Sequence, residues 1–342
     1  MLTQRRIEVL ECIVEEFIQT ADPVGSKTLV SKYKLPYSSA TIRNDMVILE
    51  DLGYIEKTHT SSGRIPSIKG YKYYCEYLLD GKNEIQEMTQ FKIMNVFSDK
   101  TLNVNEAIRE SCNIISEMTN LASGVLGPDA RMQKLEYIKI FPIDAKTCVC
   151  VFITDLGHTE NRTFKFKSEV TSNDIQKCTE ILNDRLKGTP IDDVVNKMKS
   201  IKPILADTVI KHEILFNAFI GAFMKFASDN VYFSGTQNML YQPEFSDIEK
   251  LKEIMSMMEN TKMWREIGND ENELVIHNEH GPEMLWKNDL AIVKNSFKVS
   301  DEESGQIMVV GPPRMDYDRI VGLLEYVCDS IEKLYGNGDK DD

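Results

Sequence analysis

The 342-residue sequence contains no apolar run near the ~20 residues that a membrane-spanning helix requires. Its opening, MLTQRRIEVLECIVEEF, sets acids inside the apolar pattern and so reads as an amphipathic helix rather than a secretory leader. The seven cysteines are odd in number, scattered, and never at the paired spacings of a zinc site. Cys148 and Cys150 share one face of an expected strand and read as small buried hydrophobes. That usage implies a reducing, cytoplasmic setting. Walker loops, dinucleotide fingerprints and nucleophile–base constellations are missing, and Gly221 and Gly235 have no partners at phosphate-binding spacing. His277 and His280, with Glu279 and Glu283, are too loosely spaced for a metal and read as a solvated turn. The expectation is a protein that is not an enzyme, with no cofactor and no metal.

Charge is present in plenty, but unevenly. The formal net charge of −14 argues against an anionic partner until the chain is divided. Residues 1–75 hold ten Lys/Arg and nine Asp/Glu, leaving 30 and 45 for the remainder; within 26–72 the count is eight against four. A local basic patch on an otherwise acidic body can bind phosphates while the body is held off them.

Helical spacing of Ile7, Leu10, Val14, Phe17 and Ile18 predicts a first helix from about Thr3 to Thr20, broken by Asp22-Pro23-Val24-Gly25. Ser26 reads as the N-cap of a short second helix, Lys27 to Tyr33. Ser38 or Ser39 caps a third, about Ala40 to Leu52, with Ile42, Met46, Leu49 and Leu52 inward and Gly53 as its stop. The period then changes: Tyr54–His59 reads as a strand, Thr60-Ser61-Ser62-Gly63 as a turn and Arg64-Ile65-Pro66 as the return strand. Three short helices followed by a hairpin are the winged-helix plan.

Further on, helices are expected over 84–122 with a break near 98–103, then strands at 135–141, 147–154 and 163–166. Helices return over 172–226, broken at 188–190 and 202–203. The last third offers a strand at 231–234, a helix at 246–260, strands near 273–276, 291–299 and 306–310, and a closing helix from about Asp316 to Tyr335. The class is α+β. ILFNAFIGAFMKF (214–226) is apolar nearly all round, which suits a core or a subunit contact; a dimer interface is the favoured expectation. Trp264, Trp286 and Met255, Met257 and Met258 read as core or interface. Gly311-Pro312-Pro313-Arg314 reads as a rigid strand-to-helix turn at a domain contact, because prolines lack the donors of an anion nest.

If the third helix enters a major groove, its N-terminal residues meet base edges. With Ile42 and Met46 inward, Ser39, Thr41, Arg43 and Asn44 face outward beside Ser38. Arginine can donate twice to guanine and asparagine can pair with adenine. His59, Thr60, Ser61, Ser62 and Arg64 would form a hairpin tip suited to phosphate or minor-groove contact, and Lys27, Lys57, Lys69 and Lys72 would neutralise phosphates. The same serines and threonines also suit plain helix capping, and Arg43 and Asn44 a solvated face.

The run SSATIRNDMVILEDLGYIEKTHTSSGRIPSIKGYKYY, with PVGSKTL before it, closely resembles the N-terminal domain of the HrcA family of heat-inducible transcription repressors. FSGTQNMLYQPEFSD and GQIMVVGPPRMDYDRI resemble later signatures of that family. Departures include Thr58 for a usual proline, Ser62 for alanine, Gln237 for serine and Pro313 for threonine. The resemblance implies a winged helix-turn-helix at 1–80, linker helices and a GAF-like α/β domain at 81–127 plus 231–342, and an inserted dimerising α+β domain at 128–230. It further implies a homodimer on an inverted-repeat DNA operator of chaperone genes, released on heat stress and kept active by a GroEL-type chaperonin. A regulator controlled by a small-molecule ligand of the GAF-like part is the alternative.

Overall fold

Helix α1 (Gln4–Thr20) starts the chain and is followed by α2 (Ser26–Tyr33), α3 (Ser39–Asp51), strands β1 (Ile55–Lys57) and β2 (Arg64–Pro66), and α4 (Ile68–Tyr77). Next come α5 (Glu87–Ser98), α6 (Val104–Thr119), β3 (Ala122–Leu126), β4 (Leu135–Asp144), β5 (Thr147–Thr154) and β6 (Thr159–Lys165). Helices α7 (Ser172–Leu186), α8 (Ile191–Thr208) and α9 (His212–Ser228) lead to β7 (Val231–Ser234) and two 3-10 turns, Thr236–Tyr241 and Pro243–Phe245. The last part holds α10 (Ile248–Glu259), β8 (Leu274–Ile276), β9 (Glu283–Lys287), β10 (Leu290–Lys298), β11 (Ser304–Gly311) and α11 (Tyr317–Tyr335). This computed structural model describes residues 2–58, 63–79, 85, 87–99, 102, 104–127, 133–155, 159–228, 231–260, 263–264, 267, 274–276, 281–287, 289–298 and 304–335.

The chain forms two units. One comprises residues 1–125, 233–298 and 306–342. A sheet of order β7-β3-β11-β10-β9-β8 runs through it, with β9 antiparallel to both β10 and β8. Ile307–Val310 and Leu290–Val293 are buried as nearly continuous apolar runs, as strands covered on both faces must be. α11 lies over β10 and also packs against α5 and α6. Strand β3 is missing from the sequence expectation because ASGVL is short and interrupted by glycine. Here a side chain at Gly124 would place its Cβ 2.4 Å from the ring of Phe233, so only glycine lets β7 and β3 approach. Strand β9 (EMLWK) is too short and mixed to stand out, although Met284, Leu285 and Trp286 are all buried.

The other unit spans residues 126–232 and 299–305. Its antiparallel sheet β4-β5-β6 and helices α7–α9 enclose a core that contains Ile138, Cys148, Cys150, Phe152, Cys178, Phe219 and Phe223. Cys148 and Cys150 are thus the buried small residues expected. Helix α9 also belongs to this core: Leu215, Phe216, Phe219, Ala222 and Phe223 are buried within the unit itself. The expected break at Lys202-Pro203 does not occur, and α8 runs through Pro203. Pro203 lies on the exposed side, between buried Ile201 and Leu205, and Lys199, whose carbonyl loses its helical donor, is exposed to water as well.

Among the described residues no helix is long and apolar enough to cross a membrane, and no group of three or more His, Cys, Asp or Glu could hold a metal ion.

Candidate nucleic-acid interface

Helix α3 is fixed at both ends by its own sequence. At the start, Ser38 is the N-cap, its hydroxyl accepting from the Thr41 amide at 3.1 Å. Thr41 Oγ1 lies 2.9 Å from the same oxygen. At the end, the Gly53 amide donates to Glu50 O and the Tyr54 amide to Leu49 O, both at 2.9 Å, with Gly53 at φ +78°. That is a Schellman stop, and it needs a residue tolerant of the left-handed region. Lys69 Nζ adds a hydrogen bond to Leu52 O at 2.8 Å and sits 4.5 Å over the Tyr54 ring.

Between these ends the helix divides cleanly. Ile42, Asp45, Met46 and Leu49 are buried, while Ala40, Arg43, Asn44, Val47 and Asp51 are exposed. The exposed set recurs at steps of three and four, so it is one stripe. Leu52, expected inward, is instead exposed, since the chain turns away at the stop.

Asp45 is the residue that sequence reasoning passed over. Its carboxylate accepts from Arg5 Nε at 2.6 Å and Nη2 at 3.2 Å, and from Arg6 Nε at 3.2 Å. Burial pushes this carboxyl up, but the two guanidinium groups outweigh that and hold it below the ordinary carboxylate range. The signal was present: an acid at an inward-facing helix position demands a cation partner. The pair ties the start of α1 to the inward side of α3 directly behind Asn44.

Other contacts set the neighbouring elements. Ser26 heads α2 without capping it, because Gly25 is the N-cap and Ser26 Oγ is hydrogen-bonded with Ser39 Oγ at 3.0 Å. Glu16, buried on α1, accepts from Lys32 Nζ at 2.6 Å and from the Tyr33 hydroxyl at 3.2 Å, which seats α2. The hairpin pairs Ile55 with Pro66, Glu56 with Ile65 and Lys57 with Arg64. Val24 adds a single-residue bridge on the other edge of β2, exchanging both backbone bonds with Arg64 at 2.8 and 2.9 Å. Gly63 is packed so close to Pro23 that a Cβ would meet its carbonyl oxygen at 2.6 Å.

The structure therefore leaves Arg43, Asn44, Lys27 and Lys57 exposed, and Lys72 half-buried. It commits the hydroxyls of Ser38, Ser39 and Thr41 to helix ends, and Lys69 to the α3 stop. Arg64 is committed too: Nη2 meets Glu50 Oε2 at 2.7 Å. His59, Thr60, Ser61 and Ser62 lie outside the described residues.

The family model for the HrcA protein C-terminal domain matches residues 105–321 of the chain. A solved structure described as a hypothetical protein is 21% identical over 98% of this chain and 99% of its own, with a TM-score of 0.67; it shares the fold. An IclR family transcriptional regulator from Brucella abortus is 12% identical, covers 96% of this chain and 90% of its own, and superposes with a TM-score of 0.21. The IclR of Thermotoga maritima gives 12%, 97%, 98% and 0.20. Superpositions that loose carry no argument. The family match defines the class of protein, a transcription regulator. The chain belongs to the HrcA family.

Proposed function

We propose that the chain represses heat-shock chaperone genes in the cytoplasm by binding an inverted-repeat operator as a homodimer, and lets go on heat stress. The observation that carries this reading is the stripe of α3, where Arg43 and Asn44 are exposed one beside the other on a helix anchored from behind by Asp45. Helices α1–α3 with the β1–β2 hairpin form a winged helix-turn-helix in which α3 is the reading helix. Arg43 suits guanine and Asn44 suits adenine. Exposed Lys27 and Lys57, half-buried Lys72 and the 59–62 turn would meet phosphates, while Ser38, Ser39, Thr41, Arg64 and Lys69 hold the reading helix and hairpin in place.

A second copy has a surface to use. On β4, Tyr137 and Phe141 are exposed on either side of Lys139, and Val149, Val151 and Ile153 on β5 are half-buried on the same face. Because Cys148, Cys150 and Phe152 fill the other face, β5 is apolar on both, the pattern of a sheet covered on two sides. An inverted repeat requires two copies, so the second copy is the occupant proposed for the outer face. The six-stranded sheet with α5, α6 and α11 would be the GAF-like part, and a GroEL-type chaperonin the partner that keeps the repressor active. Mobility shifts test the DNA reading: tighter binding to an inverted repeat than to scrambled DNA at physiological salt is expected, and equal binding would sink it.

A further inference from the structure

The turn from β11 into α11, GPPRMDYD, is a sequence signature without a role in reading DNA. Its Arg314 is a half-buried fork. Nε donates to Glu244 Oε1 at 2.7 Å, and Nη1 to the carbonyl of Ile18, near the end of α1, at 3.2 Å. Nη2 reaches Gln242 Oε1 at 3.4 Å and Glu244 Oε2 at 3.5 Å. One guanidinium therefore joins α1, the short 3-10 turns after β7, and the turn before α11.

A second link lies at α4. The Tyr74 hydroxyl donates to Asp318 Oδ2 at 3.1 Å, and the Tyr71 ring packs on Tyr317 at 6.0 Å between centroids. The Tyr317 hydroxyl is itself fixed, accepting from Trp286 Nε1 at 2.9 Å and donating to Pro313 O at 2.6 Å. Tyr71, Tyr74, Tyr317 and Trp286 are all buried.

Helices α1 and α4 bracket the reading helix and hairpin; α1 is held to the turn before α11, and α4 to the first two residues of α11. A single joint would leave the bracketed module free to swing; two joints at separate points remove that freedom. A planar guanidinium bonded on several sides also fixes direction, which an ammonium does not.

We propose that Arg314 is a positioning residue that fixes the angle of the α1–α4 module and thereby sets which half-site spacing the dimer accepts. This rests on the DNA-binding reading above. Two reading helices of a dimer must enter major grooves a whole number of turns apart, one turn being about 34 Å along the duplex. Inserting one base pair moves a half-site by about 3.4 Å along the duplex and also rotates it about the axis. A rigidly mounted reader rejects that change, and a loosely mounted one tolerates it.

The test uses the full chain with synthetic duplexes that carry either one half-site, defined by footprinting, or two at spacings altered base pair by base pair. Wild type should prefer one spacing by about tenfold or more over its neighbours. Arg314→Ala should flatten that preference to about threefold or less while single half-site affinity stays within about twofold, and Arg314→Lys should fall between. Tyr74→Phe, which removes one hydroxyl and keeps the ring, provides a second variant that should fold and should broaden the profile in the same direction. A wild-type spacing profile in folded Arg314→Ala or in Tyr74→Phe overturns the role. If wild type itself fails to prefer an inverted repeat, the DNA reading falls before any variant is made, so the two failures are told apart.

Discussion

Arg64 on β2 and Glu50 on α3 form an ion pair, Nη2 to Oε2 at 2.7 Å and Nε to the same oxygen at 2.8 Å, that clamps the hairpin to α3. The arginine side chain is 14% exposed and the glutamate 30%, so the pair is shielded enough to matter. Glu50→Gln should loosen the hairpin and weaken binding to all DNA. If Arg64 instead contacted phosphate directly, freeing it from Glu50 would strengthen binding. Affinity for random duplex, compared between wild type and Glu50→Gln, decides between the two.

Arg43 carries the base-reading claim. Arg43→Ala should reduce discrimination between operator and random DNA by about 1–3 kcal/mol. Lys57→Ala, by contrast, should weaken both alike and lower the salt slope by about one. Titrations at several salt concentrations read both effects, and equal loss on both duplexes for Arg43→Ala would remove it from the reading set.

Two carboxylates give the pH dependence opposite signs. Asp45 is held below the ordinary range by Arg5 and Arg6 against the push of burial, so its contribution is present above that range and lost as pH falls through the lowered value. Asp45→Asn should destabilise by about 1.5–3 kcal/mol at neutral pH and flatten the acid limb of a stability curve. Glu15 is raised, first by burial and then by Glu11 and Asp318. Its contribution is present at low pH and lost as pH rises through the raised value. Glu15→Gln should therefore raise the melting temperature at neutral pH, with the gain vanishing on acidification through the ordinary carboxylate range. Thermal melts across pH check both signs.

The outer face of β4–β5 is tested by assembly. Phe141→Asp places a charge on an exposed apolar position, so the unit's own core should be unaffected. A shift from dimer to monomer by light scattering, with an unchanged melting profile at high dilution, is the expected outcome. A variant that remains dimeric removes this face as the contact.

The helices α1–α3 and the hairpin were legible to within a residue or two because apolar spacing, Ser38, Gly53 and the shift of period all agree. Strands β3 and β9 were not, since neither ASGVL nor EMLWK carries an alternation, and burial there is supplied by neighbours distant in sequence. The exposure of Arg43 and Asn44 could be read from position alone. The commitments of Ser39 to Ser26 and of Arg64 to Glu50 could not, because each depends on where another element sits. The role of Arg314 was half visible: the prolines beside it gave the rigid turn, but its partner at Ile18 lies nearly the whole chain away.

All seven thiols are buried: Cys12, Cys75, Cys112 and Cys328 in one unit, Cys148, Cys150 and Cys178 in the other. Burial, with nearby acids on α1, pushes the Cys12 thiol up to about 12, and burial pushes Cys178 up to about 12 as well. A peroxide or electrophile in the cell thus finds no ready thiolate on the folded protein. The same shielding turns each cysteine into a silent alarm that rings only when its own half of the chain opens. Warming the protein with a thiol reagent, and mapping which cysteines label first, would record the order in which the two units give way.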